Sequence, residues 1–297
     1  MTWHVGAIMN EPQDEVLRFA AWYFNAGAHG LTLFFDNPED PTAEVLESHP
    51  DVKVIRCTPA FWEDLGLSQE VRFPKRQNAA LTWLYRQAPA DWLLNVDADE
   101  FMYIPGGIDP FLSGFPPDVE SVRVETAEVL LTNNGRADGH YRIKMEREAA
   151  KRIYGDAARF FGPKRKGLVG HPQGKSFIRC GIEDLTLRQH WPQRPGDQDI
   201  NEIVVPTRSG AALLHHVGDN YEIWRSKLQW RIGSRGFTTP LSKAIEDALE
   251  QENSEARLRE IYNELHGCDA ERLQRIKDAD AYMGVVETPD LVMQKVL

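Results

Sequence analysis

The chain has few cysteines, no long apolar run and no excess of positive charge, and each of these shortages excludes a class of protein. Its cysteines, Cys57, Cys180 and Cys268, lie far apart and show neither disulfide-framework nor zinc-site spacing. We therefore expect buried thiols in a reducing cytoplasm. No stretch approaches the ~20 apolar residues of a membrane span, and the N-terminal residues lack the pattern of a secretory signal. The sequence thus favours a cytoplasmic protein with no transmembrane segment.

The charge balance is acidic, with a formal net charge of −11 over 297 residues. This balance argues against a nucleic-acid partner, although a local basic run would still permit peripheral contact with a membrane. Hydrophobic residues make up 42% of the chain, which is enough for the sizeable core of an ordinary globular protein. No pattern in the sequence predicts the oligomeric state.

The first hundred residues alternate between strand-like and helix-like segments, which predicts α/β construction. Strands are expected at 3–9, 31–35, 52–56 and 91–96. Asn10 is a candidate cap for the first helix, and Pro74 opens a later one.

Beyond residue 105 the alternation loosens. Further strands are expected at 121–131, 174–179 and 211–217, a loop over 137–170, and a helix over 221–232. From Leu241 to about Met283, Glu, Arg, Leu and Ala recur at helical spacing, which predicts a helical C-terminal extension.

The stretch DWLLNVDADEF, residues 91–101, ends a predicted buried strand on three carboxylates. Carboxylates in such a place repel one another unless a positive group lies between them. In an extended segment residues i and i+2 point to the same side, so Asp97 and Asp99 can share one ligand. Two other Asp-x-Asp pairs lie in a polar loop and in a helical pattern, where solvated side chains are expected: Asp197/Asp199 and Asp278/Asp280.

Oxygen ligands of this kind select a hard cation, magnesium or manganese, which commonly joins protein carboxylates to substrate phosphates. In open α/β sheets, ligands bind outside the carboxyl ends of the strands. The same rule points to Asn10, which follows the first predicted strand, and to Asp36, which follows the second. These residues predict a nucleotide cleft at that edge of the sheet, with a solvated turn at 97–99 as the alternative.

Three segments, MNEPQDEVLRFAAWYFNAGAHGLTLFFDNPEDPT, RQNAALTWLY and LLNVDADEFMYIP, together resemble the glycosyltransferases of family 2 and their family 92-like relatives. A later segment, ALLHHVGDNYEIWRSKLQWRIGSRG, resembles the part of those enzymes in which a His ending a strand precedes a helix. The likeness extends over roughly residues 3–236 and depends on the order and spacing of the pieces. Asn220 departs from it, because relatives often carry Lys there.

The resemblance implies a GT-A type α/β fold, in which a Rossmann-like nucleotide-binding half with a mixed central sheet precedes an acceptor half and a C-terminal helical appendage. The glycosyltransferase domain is expected over 1–240, with the nucleotide half at about 1–105 and the acceptor half at about 106–240, and the helical extension over 241–297. The implied activity is metal-dependent transfer of a sugar from a nucleotide-sugar, expected to be a UDP-sugar, to a hydroxyl of a glycan or other acceptor, as in polysaccharide biosynthesis.

The resemblance also implies roles for individual residues. The residues expected to bind the nucleotide are Asn10, Glu11, Asp36, Arg76, Gln77 and Asp97. A Mn²⁺ or Mg²⁺ ion would be held by Asp97, Asp99 and His216, and a nitrogen ligand favours manganese. The alternative for His216 is a half-buried core histidine, and His215 is expected to face the other side of the strand.

If the anomeric centre inverts, a base must take the proton of the acceptor hydroxyl. The first candidate is His190, whose usual pKa range suits proton transfer. The second is Asp184, or its neighbour Glu183, in CGIEDLTLRQHW, where an ordinary turn is the alternative because LTLRQHW alternates like a strand.

Two other functions remain open. A metal-dependent phosphohydrolase or nuclease could use the DADE cluster, but it needs further carboxylates for a second ion, and the sequence offers no recognisable set. A catalytically inactive sugar-nucleotide-binding protein would fit the departure at Asn220.

Two basic features are weaker signals. GHPQGKS, residues 170–176, leaves three residues between its glycines where a phosphate-binding loop needs four, so a hairpin is expected, although Lys175 could contact phosphate. The run PKRKG, residues 163–167, could guide an anionic donor or acceptor, with a solvated loop as the alternative.

Overall fold

The computed structural model describes residues 1–132 and 137–296. Within them the strands, in chain order, are β1 (Trp3–Met9), β2 (Gly30–Phe35), β3 (Val52–Arg56), β4 (Trp92–Asn95), β5 (Glu100–Tyr103), β6 (Ser121–Val124), β7 (Thr126–Val129), β8 (His140–Ile143), β9 (Lys175–Arg179), β10 (Thr186–Leu187), β11 (Pro192–Gln193), β12 (Glu202–Val205), β13 (Ala212–His215) and β14 (Tyr282–Gly284).

The α-helices of the same residues are α1 (Gln13–Asn25), α2 (Thr42–Glu47), α3 (Pro59–Asp64), α4 (Phe73–Arg86), α5 (Ile108–Ser113), α6 (Arg147–Tyr154), α7 (Tyr221–Ser226), α8 (Leu228–Gly233), α9 (Thr239–Leu249), α10 (Ser254–His266), α11 (Ala270–Asp278) and α12 (Pro289–Val296). Short 3-10 helices lie at Gly155–Phe160, Pro195–Asp197 and Thr207–Ser209.

The chain divides into two compact units. The first comprises residues 1–125, 173–213 and 289–297, and the second comprises residues 126–172 and 214–288. The last helix, α12, belongs to the first unit and packs against α1, where Arg18 Nε lies 2.8 Å from Asp290 Oδ1. The domain boundaries expected from the sequence stay a prediction.

The central sheet of the first unit runs in the order β12-β6-β9-β4-β1-β2-β3. β1 pairs in parallel with β2 and β4, and β2 pairs in parallel with β3. β9 is antiparallel to both of its neighbours, β4 and β6, so the sheet is mixed. Strands covered on both faces have no polar face, which explains the nearly unbroken apolar sequences of β1, β2 and β4. Their carboxyl ends meet at one edge of the sheet.

Two helices position that edge. Over β1, α4 approaches so closely that a Cβ on Gly6 would lie 2.6 Å from Leu84 Cδ2, so a larger residue there would force the Leu84 side chain to shift. From α1, the Tyr23 hydroxyl donates to the Glu100 carbonyl oxygen (2.9 Å) and accepts from the Met102 N–H (3.2 Å). Tyr23 therefore holds the backbone of β5, which directly follows the acidic turn.

In the second unit, β7, β8 and β14 form consecutive antiparallel pairs. Arg142 of β8 and Glu128 of β7 are fully buried and paired, with Nη2 and Oε2 2.9 Å apart. Arg142 also donates to the Leu265 carbonyl oxygen (2.7 Å), and Glu128 accepts from the Val169 N–H (2.7 Å). These additional hydrogen bonds are what a buried ion pair needs in order to offset its lost hydration.

The predicted fold class is confirmed as an α/β fold with a mixed central sheet and C-terminal helices. The predicted loop over 137–170 is wrong, because β8 and α6 lie within it. Its helix had a readable signal, since Ala149, Ala150, Ile153 and Tyr154 are buried at helical spacing.

Other local predictions also differ from the structure. The strand expected over 121–131 breaks at Glu125 into β6 and β7, because the chain passes there from one unit to the other. The helix expected over 221–232 is interrupted at Lys227. The N-cap of α1 is Pro12 rather than Asn10, and Asp280 lies beyond the end of α11.

Within the described residues, no helix combines the length and the apolarity needed to cross a membrane. Cys57 and Cys268 are buried and Cys180 is partly buried, and all three are free thiols.

Candidate functional site

Four of the residues expected to bind a nucleotide come together at the carboxyl edge of the first unit's sheet. Asp36 follows β2 and forms an ion pair with the guanidinium of Arg76, whose Nη2 lies 3.2 Å from Asp36 Oδ2. The next residue, Gln77, donates from Nε2 to Asp97 Oδ1 over 2.6 Å. Arg76 and Gln77 lie near the N-terminal end of α4, so this helix holds the side chains that follow β2 and β4.

The positive group between the carboxylates is a lysine side chain. Lys175 opens β9, beside β4, and its Nζ lies 3.1 Å from Asp97 Oδ2 and 3.3 Å from Glu100 Oε2. The side chains of Lys175 and Glu100 are fully buried, whereas 39% of the Asp97 side chain is exposed. The Asp97 N–H also donates to Glu100 Oε2 over 2.8 Å. The protein therefore supplies its own counter-ion to the acidic turn.

The pKa values of the three groups follow from this arrangement. Burial raises the pKa of Asp97, but Lys175, His190 and the hydrogen bond from Gln77 outweigh it and hold the pKa below its usual value. Burial raises the pKa of Glu100 to about 8, with Lys175 opposing and Asp97 and Asp99 adding to the rise. Burial lowers the pKa of Lys175, but Asp97 and Glu100 outweigh it and hold the pKa above its usual value. Asp97 and Lys175 are therefore the ionised pair at neutral pH, and Glu100 holds a proton.

The atoms expected to bind a metal ion already have protein partners. The two oxygens of Asp97 accept from Gln77 and Lys175. In the second unit, His216 Nε2 lies 2.9 Å from the Tyr141 hydroxyl and Nδ1 lies 2.7 Å from Asp219 Oδ2. Each Asp97 oxygen keeps a lone pair that could bind an ion, whereas coordination by His216 would require the loss of one of its two contacts.

Among residues 1–132 and 137–296, no group of three or more His, Cys, Asp or Glu side chains is arranged to hold a metal ion. Asp99 is partly exposed in the turn before β5. The metal role of Asp97, Asp99 and His216 stays a prediction.

Asn10 and Glu11 lie at the end of β1, at the same edge of the sheet. Asn10 is exposed, and its N–H donates to Glu11 Oε2 over 2.8 Å. The Asn10 side chain is thus exposed at the edge where the parallel strands end, beside a Glu11 carboxylate that already accepts a hydrogen bond.

The two candidate bases lie on the segment that forms the β10-β11 hairpin. Asp184 is exposed in the turn before β10 with φ 63°, a left-handed conformation that Asp tolerates in turns. His190 lies between the strands, is half-buried, and lowers the pKa of Asp97. Its neighbour Gln189 donates from Nε2 to Gln77 Oε1 over 3.0 Å, which joins the hairpin to α4. His190 is therefore the candidate that lies at the acidic cluster.

The strand expected in LTLRQHW is only Thr186–Leu187, paired with β11. The sequence analysis predicted no role for Gln189, and it placed Lys175 in an expected hairpin. A signal for Lys175 existed: three carboxylates at the end of a buried strand require a cation nearby.

No family model matches the chain, and no curated protein matches it. Solved structures that match it include S. aureus TarS 1–349, with 14% identity and a TM-score of 0.35 over 89% of this chain and 70% of that chain. The same TarS fragment in complex with UDP-GlcNAc matches with 13% identity and a TM-score of 0.33 over 93% and 72%. HddC from Yersinia pseudotuberculosis matches with 11% identity and a TM-score of 0.34 over 76% and 99%. Likeness at this level assigns neither a family nor an activity to the chain.

Proposed function

We propose that the chain is a glycosyltransferase that binds a nucleotide-sugar, with a UDP-sugar as the first expectation, at the carboxyl edge of the first unit's sheet. The proposal rests on two sets of contacts at the ends of β2 and β4. Arg76 binds Asp36, and its neighbour Gln77 binds Asp97, which also contacts Lys175. This edge is where open α/β sheets bind their ligands. The resemblance to the family 2 glycosyltransferases supplies the reaction, transfer of the sugar to a hydroxyl of a glycan or other acceptor.

Two of the carboxylates at this edge, Asp36 and Asp97, are compensated by cations of the protein. Lys175 offsets the Asp97 carboxylate, and the raised pKa of Glu100 keeps its side chain neutral at pH 7, so a diphosphate meets less repulsion than the sequence alone suggests. Both terminal nitrogens of Arg76 already donate to Asp36, so a phosphate would be bound by the N–H groups of Arg76 that remain. Asp36, Asn10 and Glu11 would then serve the ribose or base as hydrogen-bond acceptors or donors.

Transfer needs attack of the acceptor hydroxyl on the anomeric carbon and departure of the nucleoside diphosphate. His190 is the proposed base, because its carbonyl oxygen accepts from the Ser176 hydroxyl (2.9 Å), next to Lys175, and histidine is the commonest general base. Asp184 is the second choice, since its turn is exposed. The Mn²⁺ or Mg²⁺ ion is a separate part of the proposal, with Asp99 as its first ligand.

A thermal-shift titration with UDP and UDP-sugars, with and without Mn²⁺, tests the binding step. A ligand at ~100-fold its dissociation constant adds about 2.7 kcal/mol to the free energy of unfolding. Asp97→Asn should abolish the shift, because it removes the charge that orients Gln77 and Lys175. Asp278→Asn makes the same change in the second copy of Asp-Ala-Asp, where the side chain is exposed and accepts from Gln274 (2.8 Å), and should keep the shift.

The outcomes separate the candidate functions. No shift with any nucleotide, or an equal loss in both variants, contradicts the nucleotide site. Release of UDP that depends on an added acceptor identifies a transferase, binding without release identifies an inactive binder, and cleavage of phosphodiesters identifies a phosphohydrolase. A shift that does not respond to Mn²⁺ or to a chelator contradicts the metal part alone.

A further inference from the structure

The second unit contains an open cavity of about 860 Å³ that includes the basic run 163–167 and none of the residues of the proposed nucleotide site. Its walls are α6, the 3-10 helix Gly155–Phe160, the segment 161–167 and the N-terminal end of α9. The volume lies in the ~300–1,000 Å³ range of cavities that bind small organic ligands.

The cavity is strongly basic. Among the residues that the structure describes, six cationic side chains and two carboxylates line it. The cations are Arg147, Lys151, Arg159, Lys164, Arg165 and Lys166, and the carboxylates are Glu146 and Asp156. An excess of four positive charges around one cavity contrasts with the net charge of −11 of the whole chain. A cleft lined by one sign of charge focuses its field and attracts ligands of the opposite sign.

Most of these cations have no partner within the protein. The side chains of Arg147, Lys151, Lys164 and Lys166 are exposed and make no hydrogen bond or ion pair with any residue in 1–132 or 137–296. Arg159 lies over the ring of Phe160, 4.9 Å from its centroid. Their charge is therefore available to a ligand.

Arg165 holds the basic segment in place. Its guanidinium donates to the carbonyl oxygens of Val169, of Gly170 (2.8 Å) and of Gly236 (2.8 Å). Two residues later, Gly167 has φ +81°, and a Cβ there would lie 2.5 Å from Met145 Cγ, so the segment packs directly against the opposite wall.

The far wall is tied as well, because the Thr238 hydroxyl donates to the Phe160 carbonyl oxygen over 2.6 Å. Lys164 and Lys166 thus flank an anchored residue rather than belong to a free loop. A rigid frame loses little conformational entropy when a ligand binds, so less of the binding free energy is offset.

We infer that this cavity binds a ligand that carries two or more phosphate groups, such as a bisphosphate. Each phosphate monoester carries about −1.5 to −2 charges at pH 7, so two phosphates match the excess of the lining, whereas one carboxylate would leave most of it uncompensated. Lysine and arginine donors both suit phosphate oxygens. The inference concerns the second unit alone and does not depend on the proposed nucleotide site.

Calorimetric titration of the whole chain with inorganic pyrophosphate at low salt tests the inference. Lys164→Gln/Lys166→Gln should raise the dissociation constant by about tenfold, since each lost charge-assisted contact weakens binding by about threefold or more. Arg152→Gln/Lys243→Gln is the matched control: it removes two exposed charges of the same unit that do not line the cavity, and should change the constant by less than about twofold.

Three results would overturn the inference. The first is no binding of pyrophosphate by the unaltered protein. The second is an equal loss of affinity in both double variants, which would show that only the net charge matters. The third is full binding by Lys164→Gln/Lys166→Gln together with its loss in Arg76→Gln, which would assign the pyrophosphate to the first unit.

Discussion

Replacement of Lys175 by Met tests how the acidic turn is held together. Methionine keeps an unbranched stem in β9 but removes the ammonium, which lies 3.1 Å from Asp97 and 3.3 Å from Glu100. At about pH 6, Glu100 is protonated in the folded protein because its pKa is about 8, so the main loss is the contact with Asp97. A hydrogen bond to a charged group contributes roughly 1.5–3 kcal/mol, and we expect a loss of stability of that size.

The loss should grow at higher pH. Between the ordinary Glu100 pKa of 4.5 and its folded value of about 8, the folded protein holds one more proton than the unfolded chain, so stability falls as pH rises. Above about pH 8, Lys175 lets Glu100 ionise in the unaltered protein, and the fall stops. In Lys175→Met no cation opposes the effect of burial on Glu100. Glu100 therefore keeps its proton, and stability continues to fall as pH rises. The difference between the two proteins should therefore widen by ~1.4 kcal/mol per pH unit above about pH 8.

Urea unfolding at about pH 6, 8 and 9, followed by tryptophan fluorescence, measures this difference. In a Glu100→Gln background the titrating group is absent, so the widening should disappear. Lys75→Met is the control, because Lys75 is exposed on α4 and its side chain has no partner among the described residues. It should stay within ~0.5 kcal/mol. A loss in Lys175→Met that is independent of pH, or that widens equally in the Glu100→Gln background, would refute Lys175 as the counter-ion.

Two further predictions concern the second unit. His216→Ala should lower the free energy of unfolding by roughly 1–3 kcal/mol, because Tyr141 and Asp219 each lose one hydrogen bond. A Mn²⁺ titration of His216→Ala and His215→Ala checks the metal role: weaker binding in His216→Ala alone supports it, and unchanged binding in both contradicts it. Asn220→Lys should cost about 1 kcal/mol, because the Asn220 Oδ1 caps α7 by accepting from the backbone N–H groups of Glu222 (2.9 Å) and Ile223 (3.1 Å). Asn220→Asp keeps an acceptor and should be near neutral in the same unfolding measurement, and equal losses in the two variants would show that the cap has no effect.

Much of the edge of the first sheet was predictable from the sequence. β1 and β3 have the predicted bounds, and Asp36 and Asp97 lie at strand ends as expected. Unbroken apolar runs mark strands buried on both faces, and polar residues directly after them mark the strand ends. Each of these features depends on neighbours in the sequence, so local pattern was sufficient.

The partners of the site residues could not be predicted in this way. Lys175 is 78 positions from Asp97 in the chain, and the two meet because β9 enters the sheet beside β4 in the antiparallel direction. Nothing in the sequence of the short segment that opens β9 indicates that this strand pairs with β4. Its sequence therefore allowed a hairpin as readily as a central strand.

The sequence by itself determined which residues lie at strand ends and that the acidic turn needs a cation, because steric periodicity and the repulsion of like charges act locally. Only the tertiary structure decided that the cation is the ammonium of Lys175 and that the His216 nitrogens bind Tyr141 and Asp219. The physical reason is the same in each case. A buried charge or ring nitrogen takes the partner that packing brings within hydrogen-bond distance, and packing joins residues that are far apart in the chain.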